Sequence, residues 1–323
     1  MLIVTGGAGF IGSAVLWKLN QMGLTDILVV DNLGTGEKWR NLARRRFTDC
    51  ITKEEFLDHL QSSRDFFGAT AVIHMGACSA TTQADAGYLL ENNYRYSLAV
   101  ARYCLEAGLR LVHASSAATY GDGANGFDDE LAGLDDLRPM NAYAFSKHLF
   151  DLAAKRAGWF TSLVGLKFFN VYGPNEYHKA DMMSVVRKAF DQVRQTGKAR
   201  LFKSNRDGCP DGGQARDFIY VKDCVEVIGW LLENPSVNGL YNLGTGRARS
   251  FADLAKAVFV AMGQEPCIEY FDMPEAIRDT YQYHTQARMD RLRGAGYTRE
   301  FTSLEEGVRD YVQGYLATED RYL

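Results

Sequence analysis

No stretch of the sequence approaches the ~18 uninterrupted apolar residues that a membrane helix needs. That absence excludes an ordinary helical membrane protein. Nor is there a basic leader with a cleavage site, because the chain opens directly into Leu2-Ile3-Val4 and a glycine loop. A cytoplasmic location is therefore expected. The six cysteines, at 50, 78, 104, 209, 224 and 267, include no C-x-x-C pair, and the six histidines do not cluster with them. No metal site is expected, and reduced thiols fit a cytosolic chain of this size. Positive charge is not in excess either: a formal net charge of -4 argues against nucleic acid as a partner. The run Arg44-Arg45-Arg46 is the local exception, and it reads as a solvated face beside a loop rather than a phosphate site. Internal repeats and low-complexity tracts are absent as well.

What remains is an ordinary globular composition, 46% hydrophobic and 24% charged over 323 residues, long enough for about two domains. The first half alternates short apolar runs with helical patterns. Strands are expected at Leu2-Ile3-Val4, Ile27 to Val30, Ala71 to His74, Leu111 to Ala114 and Leu163 to Leu166. Apolar spacing at Ile11, Val15, Leu19 and Met22 marks the first helix, and Tyr88 to Ala107 a long one stopped by Gly108. Fully apolar strands alternating with helices argue for an α/β fold with a doubly wound parallel sheet of the Rossmann type. After Asn170 the pattern loosens, with short strands at Phe218 to Val221 and Leu240 to Leu243 and a polar loop from Ser204 to Gln214. The expected organisation is a dinucleotide-binding domain over 1–170, with later returns near 217–245 and 282–296. A smaller C-terminal substrate lobe takes most of 171–323.

Gly6, Gly9 and Gly12 form G-x-x-G-x-x-G between the first strand and the first helix. Such a turn lets backbone approach a pyrophosphate while the helix start aims N–H groups at the anion. The strand-before, helix-after context, with Asp31 closing the second strand, is what makes the triplet informative. Asp31 in that place favours ribose hydroxyls and hence NAD, whereas Asn32, Lys38 and Lys53 offer cations for the 2′-phosphate of NADP. From these residues both cofactors stay open.

Tyr143 and Lys147 stand four apart in a helical pattern, so they share one face. A free tyrosine titrates at about 10, too high for a base near neutrality. A neighbouring ammonium and an oxidised nicotinamide favour the phenolate, which can then take a carbinol proton as hydride leaves. Ser116 lies just past the carboxyl end of an apolar strand, where open sheets place ligands, and its hydroxyl suits the reacting oxygen. A turn cap is the plainer role for it.

Thr5-Gly6-Gly7-Ala8-Gly9-Phe10-Ile11-Gly12-Ser13, Ser115 to Gly121 and Tyr143-x-x-x-Lys147 together resemble the extended short-chain dehydrogenase/reductase superfamily. Within it the chain is most similar to the nucleotide-sugar epimerases acting at C6 of ADP-linked heptose. Gly76-Ala77-Cys78-Ser79 with Thr81-Thr82, Glu91 to Tyr94, Phe168 to Glu176 with His178-Lys179, Arg216 to Val221 and Asn242 to Gly246 carry that likeness. The resemblance implies epimerisation in lipopolysaccharide core synthesis, NADP as cofactor, and a homo-oligomer such as a pentamer. It implies cofactor contacts from Phe10, Ile11, Met75, Gly76, Ala77, Ser79, Asn92 and Val171 beside those above. It places a second acid/base at Lys179, and substrate contacts at Asn170, Asp181, Lys188, Phe202, Arg216 and Tyr281. The chain departs from the pattern at Asp181, usually small or neutral, at Lys188, usually histidine, and in a longer 204–214 loop. These departures bear on substrate contacts rather than on hydride transfer.

The rival on the same fold is a UDP-hexose 4-epimerase, which turns the whole ketosugar and has no need of Lys179. A 4,6-dehydratase fits less well, since Ala118-Thr119 lacks its Asp-Glu pair. A non-catalytic NADP-binding sensor would not need Tyr143, Lys147 and Ser116 together.

Overall fold

The computed structural model describes residues 1–62, 68–278 and 281–323. Seven parallel strands form the central sheet: β1 (Leu2–Thr5), β2 (Ile27–Val30), β3 (Asp49–Ile51), β4 (Ala71–His74), β5 (Arg110–Ser116), β6 (Val164–Phe168) and a late strand, Gly239–Leu243. Their spatial order is β3-β2-β1-β4-β5-β6 and then the late strand. The order reverses beside β1, whose Leu2 pairs with Ile27 on one side and Ala71 on the other. Ligands of open α/β sheets bind outside the carboxyl ends of the strands at that switch point.

Apolar residues alternate between the two faces because successive side chains of a strand point oppositely. Val4, Val29, Ile73 and Val112 face one core, shared with α1 (Phe10–Gln21). Ile3, Leu28, Val72 and Leu111 face the other. Helices cover both faces, so every residue of β2 and β4 is buried. His74 tolerates that position because Thr5 Oγ1 lies 2.6 Å from its Nδ1 and Ser97 Oγ 3.0 Å from its Nε2.

The remaining helices of the sheet domain are α2 (Lys53–Ser62), α3 (Ala86–Leu89), α4 (Tyr96–Glu106) and α5 (Ala142–Arg156). The expected single helix from Tyr88 to Ala107 is interrupted, since Leu90–Arg95 is a π-helical segment joining α3 to α4. Apolar spacing survives such a bulge, so periodicity did not reveal it.

In the second half, β7 (Asn170–Tyr172), β9 (Ala215–Tyr220) and β11 (Ala248–Ser250) make a small sheet, and β8 (Ala199–Phe202) pairs with β12 (Ile268–Phe271). The late central strand is β10 (Gly239–Leu243). Helices α6 (Val185–Thr196), α7 (Val221–Glu233) and α8 (Phe251–Ala261) pack around them. Val221, read in the sequence as the end of a strand, instead starts α7. No helix among the described residues is long and apolar enough to cross a membrane.

Candidate active site

A cavity of about 680 Å³ opens at the carboxyl ends of β1, β2, β4 and β5, within the size range of small-ligand sites. Its floor is the glycine loop. Gly6 has φ +66°, and a Cβ there would stand 2.7 Å from Gly76 Cα. A Cβ on Gly12 would stand 2.0 Å from the Gly6 carbonyl oxygen, so both positions need glycine for close backbone approach. Gly9 caps α1 without any side-chain hydrogen bond, leaving the first-turn N–H groups of Phe10, Ile11 and Gly12 for an anion. This cradle, and the volume of the cavity, fit a dinucleotide.

At one end of the cavity Asp31 Oδ2 accepts from Ala8 N at 2.8 Å, so the carboxylate pins the glycine loop. Its other oxygen pairs with Lys38. Asn32 Oδ1 accepts from the Lys53 backbone N–H at 2.9 Å, and Lys53 Nζ donates to Asn92 Oδ1 at 3.0 Å. Asp31, Asn32, Lys38, Lys53 and Asn92 thus converge although up to 61 positions separate them in the chain (92 − 31). Met75, Gly76, Ala77 and Ser79 form the edge beyond β4. The π segment holds that edge: Asn93 Oδ1 accepts from Cys78 N at 2.8 Å, and its Nδ2 donates to Cys78 O at 3.0 Å and to Ser146 Oγ at 3.0 Å.

The opposite end is built by α5, whose N-cap Asn141 accepts from Ala144 N at 2.8 Å. Tyr143 and Lys147 both line the cavity, 9% and 3% exposed. Lys147 Nζ donates to the Ala114 carbonyl at 2.8 Å. Burial lowers its pKa to about 8, with Asp151 opposing. The expected depression of the tyrosine is not found in the chain by itself. Burial raises the Tyr143 phenol, and a hydrogen bond with Ser116 only pulls it back. Ser116 also accepts from Ala118 N at 3.2 Å as the cap of a short turn, so the capping role coexists with its reach to Tyr143.

Lys179 also lines the cavity, its Nζ 5.4 Å from the centroid of the Phe10 ring. Burial lowers its pKa, and the Glu176 carboxylate opposes that. Glu176 is itself buried and accepts from Ser184 Oγ at 2.6 Å. His178 borders the same wall, where burial, then Lys38 and Lys179, push its pKa down to about 4.

The other residues named from the sequence lie outside the cavity lining. Asn170 and Val171 sit on β7, with Asn170 exposed. Asp181 is exposed, and its carbonyl accepts from Lys188 Nζ at 2.6 Å. Phe202, Arg216 and Tyr281 form their own cluster: Arg216 lies 5.2 Å from the Tyr281 ring centroid, and the rings of Phe202 and Tyr281 are 6.1 Å apart. Glu54, Tyr88, Tyr96 and Met182 line the cavity without having been singled out. Tyr96 follows Asn92 by four residues on one helical run, the spacing that could have flagged it.

Residues 2–244 match the NAD dependent epimerase/dehydratase family. An ADP-L-glycero-D-manno-heptose-6-epimerase of Nitratidesulfovibrio vulgaris is 57% identical over 323 residues, all of both chains. Among solved structures, a UDP-N-acetylglucosamine 4-epimerase from Methanobrevibacter ruminantium has a TM-score of 0.82 at 23% identity, covering 98% of each chain, a likeness of fold. A UDP-glucose 4-epimerase of Thermus thermophilus in complex with NAD has a TM-score of 0.73 at 27% identity, covering 97% of each. With a glycine cradle, a tyrosine–lysine pair on one helix face and a full-length relative at 57% identity, the chain belongs to the NAD dependent epimerase/dehydratase family and, within it, to the ADP-L-glycero-D-manno-heptose-6-epimerases.

Proposed function

We propose that the protein interconverts the C6 epimers of ADP-glycero-D-manno-heptose through a transient 6-ketone, with a bound NADP, as a step of lipopolysaccharide core synthesis in the cytoplasm. The observation that carries this reading is that two proton-handling groups from separate elements, Tyr143 on α5 and Lys179 on the segment after β7, line one cavity. Epimerisation by oxidation and reduction demands such a pair. Once C6 is a ketone, the carbonyl must turn over before hydride returns to its other face, and its oxygen then points away from the first base.

When bound, the nicotinamide supplies the hydride acceptor and donor. Tyr143 takes the hydroxyl proton of one epimer, with Ser116 holding the same oxygen. The Lys147 charge next to it stabilises the phenolate. Lys179 delivers the proton to the inverted alkoxide, and each group serves in the opposite sense for the reverse reaction.

NADP rather than NAD is supported by Lys38 and Lys53 at the Asp31 end, two ammonium groups that a 2′-phosphate would draw from their present partners Asp31 and Glu54. We read residues 1–170, with the returns near 217–245 and 282–296, as the cofactor-binding part and most of 171–323 as the substrate lobe. Arg216, Tyr281 and Phe202 in that lobe suit the diphosphate and sugar, with Asn170, Asp181 and Lys188 nearer its rim. A homo-oligomer, such as a pentamer, is part of the same reading.

The test is incubation of purified protein with ADP-D-glycero-D-manno-heptose, without added cofactor, followed by separation of the C6 epimers. An equilibrium mixture supports both a retained cofactor and the heptose substrate. No conversion with NADP or NAD supplied, while a UDP-hexose is epimerised, overturns the reading and leaves Lys179 without a catalytic role.

A further inference from the structure

Behind the Tyr143 wall lies a buried charge pair that the proposed chemistry does not use. Lys167 of β6 and Asp151 of α5 have fully buried side chains, 2.9 Å apart between Nζ and Oδ2. Ser115 Oγ donates to that same carboxylate oxygen at 2.7 Å. Lys167 also donates to Thr119 Oγ1 at 2.5 Å and stands 4.8 Å from the Tyr120 ring centroid. The other oxygen, Asp151 Oδ1, is buried with no hydrogen-bond partner among the described residues. Packing is a poor reason for such a group. Buried ion pairs can often be exchanged for apolar residues without loss of stability, and an unpartnered carboxylate oxygen adds a cost of its own.

Position gives a better reason. Tyr143, Lys147 and Asp151 are spaced at four-residue intervals along one buried face of α5. Lys147 donates to a neutral carbonyl, Ala114 O, and pairs with no carboxylate among the described residues. The groups around it are Cys78 from the loop after β4, His74 of β4, His113 of β5, and Tyr143 and Asp151 on its own helix. Of these Asp151 is the one carboxylate. Around Asp151 itself stand Lys167 and Ser115 from the sheet, the Tyr120 ring, and His148 on α5.

We propose that Asp151 is a positioning residue for the oxidation step: held by Lys167 and Ser115, its carboxylate keeps Lys147 charged beside Tyr143 and so sets the upper pH limit of the reaction. The inference rests on the reading of Tyr143 and Lys147 as the catalytic pair. Burial alone drives Lys147 toward its neutral form, and Asp151 is the largest influence in the other direction.

The experiment is the pH profile of kcat for the intact enzyme and three variants, at temperatures well below each one's Tm. Asp151→Asn removes the negative charge, so the alkaline limb moves down by about one pH unit, with kcat above the limb falling about tenfold and KM little changed. Lys167→Met leaves the carboxylate uncompensated, so the limb moves up. Asp151→Glu keeps the charge and restores the native limb. Both single charge deletions break the same buried pair and lower Tm alike, so a purely structural role cannot give opposite shifts. If either fails to fold, Asp151→Asn/Lys167→Met leaves no unpaired buried charge and still moves the limb down, because the group next to Lys147 is gone. A limb unmoved in Asp151→Asn, or moved down in both single variants, overturns the proposal. The carboxylate that acts on Lys179 is Glu176 and not Asp151, so a limb that belongs to Lys179 stays fixed and gives the first of those results. Tyr143→Phe separates the two failures. If that variant retains activity, the catalytic reading itself falls; if it is inactive while the Asp151→Asn limb is unmoved, only the role of Asp151 falls.

Discussion

The two walls of the cavity are built in opposite ways. Tyr143 stands on a capped 15-residue helix packed against the sheet, on a face shared with the buried Ser146, Lys147 and Phe150. Lys179 stands in a short 3-10 segment, Tyr177–Met182, on a connection between β7 and α6 that carries two non-glycine residues at positive φ, Asn175 at 76° and Ala180 at 46°. That loop is tied down from far away in the chain. Asn175 Oδ1 accepts from Leu323 N at 2.9 Å, Asn175 O accepts from Asn41 Nδ2 at 3.1 Å, and Tyr177 Oη donates to Arg321 O at 2.5 Å. One proton-handling group is therefore fixed by a long helix packed on the sheet, and the other by a short 3-10 turn and a set of tertiary tethers. Sites on helices and strands hold geometry better than sites on loops, so the Lys179 wall is the one that distant changes should disturb.

The largest effects come from removing either wall's chemistry. Tyr143→Phe and Lys179→Met are each expected to lower epimerisation by about 10²–10⁴-fold, the usual scale for a general acid or base. Initial rates from each pure epimer measure this. If Lys179→Met loses less than tenfold while Tyr143→Phe is inactive, the walls are not equivalent in chemistry, and a one-base mechanism with a turning sugar takes over.

Next in size is the cofactor end, which borders both walls. Lys38 belongs to the short turn Glu37–Asn41 and Lys53 to the start of α2. A charged hydrogen bond to phosphate contributes about 1.5–3 kcal/mol. Lys38→Ala or Lys53→Ala should thus weaken NADP about tenfold or more and leave NAD within about twofold. Titration of both nucleotides by fluorescence decides it; equal losses for the two would show that the lysines act on the fold and not on the 2′-phosphate.

This contrast also explains what the sequence made legible. Strands β1, β2 and β4 could be read to within a residue because buried parallel strands are continuous apolar runs bounded by glycine and aspartate. The glycine loop, Asp31 and the Tyr143-Lys147 spacing are local patterns, so they were visible without tertiary information. The tethers of the Lys179 loop were not. Arg44, Arg45 and Arg46 looked like a solvated face. In the structure Arg44 pairs with Asp320, Arg45 NH2 donates to the Leu323 carbonyl at 2.7 Å, and Arg46 N donates to Asn20 Oδ1 at 2.7 Å. No spacing rule links residues 45 and 323. The Asp151–Lys167 pair was hidden for the same reason, since its partners lie on different elements.

A third change tests the tethers directly. Arg45→Ala, or removal of residues 321–323, should lower kcat several-fold, on the order of the loss from a slightly misplaced group. Cofactor affinity should hold, because the glycine loop keeps its own contacts to Asp31. Activity and nucleotide titration measured together separate the two. A fall in NADP affinity as large as the fall in kcat would show that the tail supports the whole cavity and not one wall.

The smallest effect is expected at Ala180, and it asks whether the loop wall carries backbone strain. With φ 46° and ψ -122°, the residue lies in a region that glycine enters freely and a Cβ disfavours, at a cost of about 1–3 kcal/mol. It is joined directly to Lys179, whose backbone N–H donates to Glu176 O at 3.0 Å, while Met183 N donates to Ala180 O at 3.1 Å. These bonds hold the turn closed against the strain. Ala180→Gly relieves it but adds about 0.5–1 kcal/mol of unfolded-state entropy to be lost on folding. The balance favours the variant by about 1 kcal/mol, a rise of roughly 2 °C in Tm for a chain of this size. A freer turn should also aim Lys179 less well, so kcat drops by about twofold while Tm rises. Thermal melting and initial rates on the same preparation check both signs. A lower Tm would mean that alanine sits there without strain; a higher Tm with unchanged kcat would mean that Glu176 and the tail tethers alone aim the lysine.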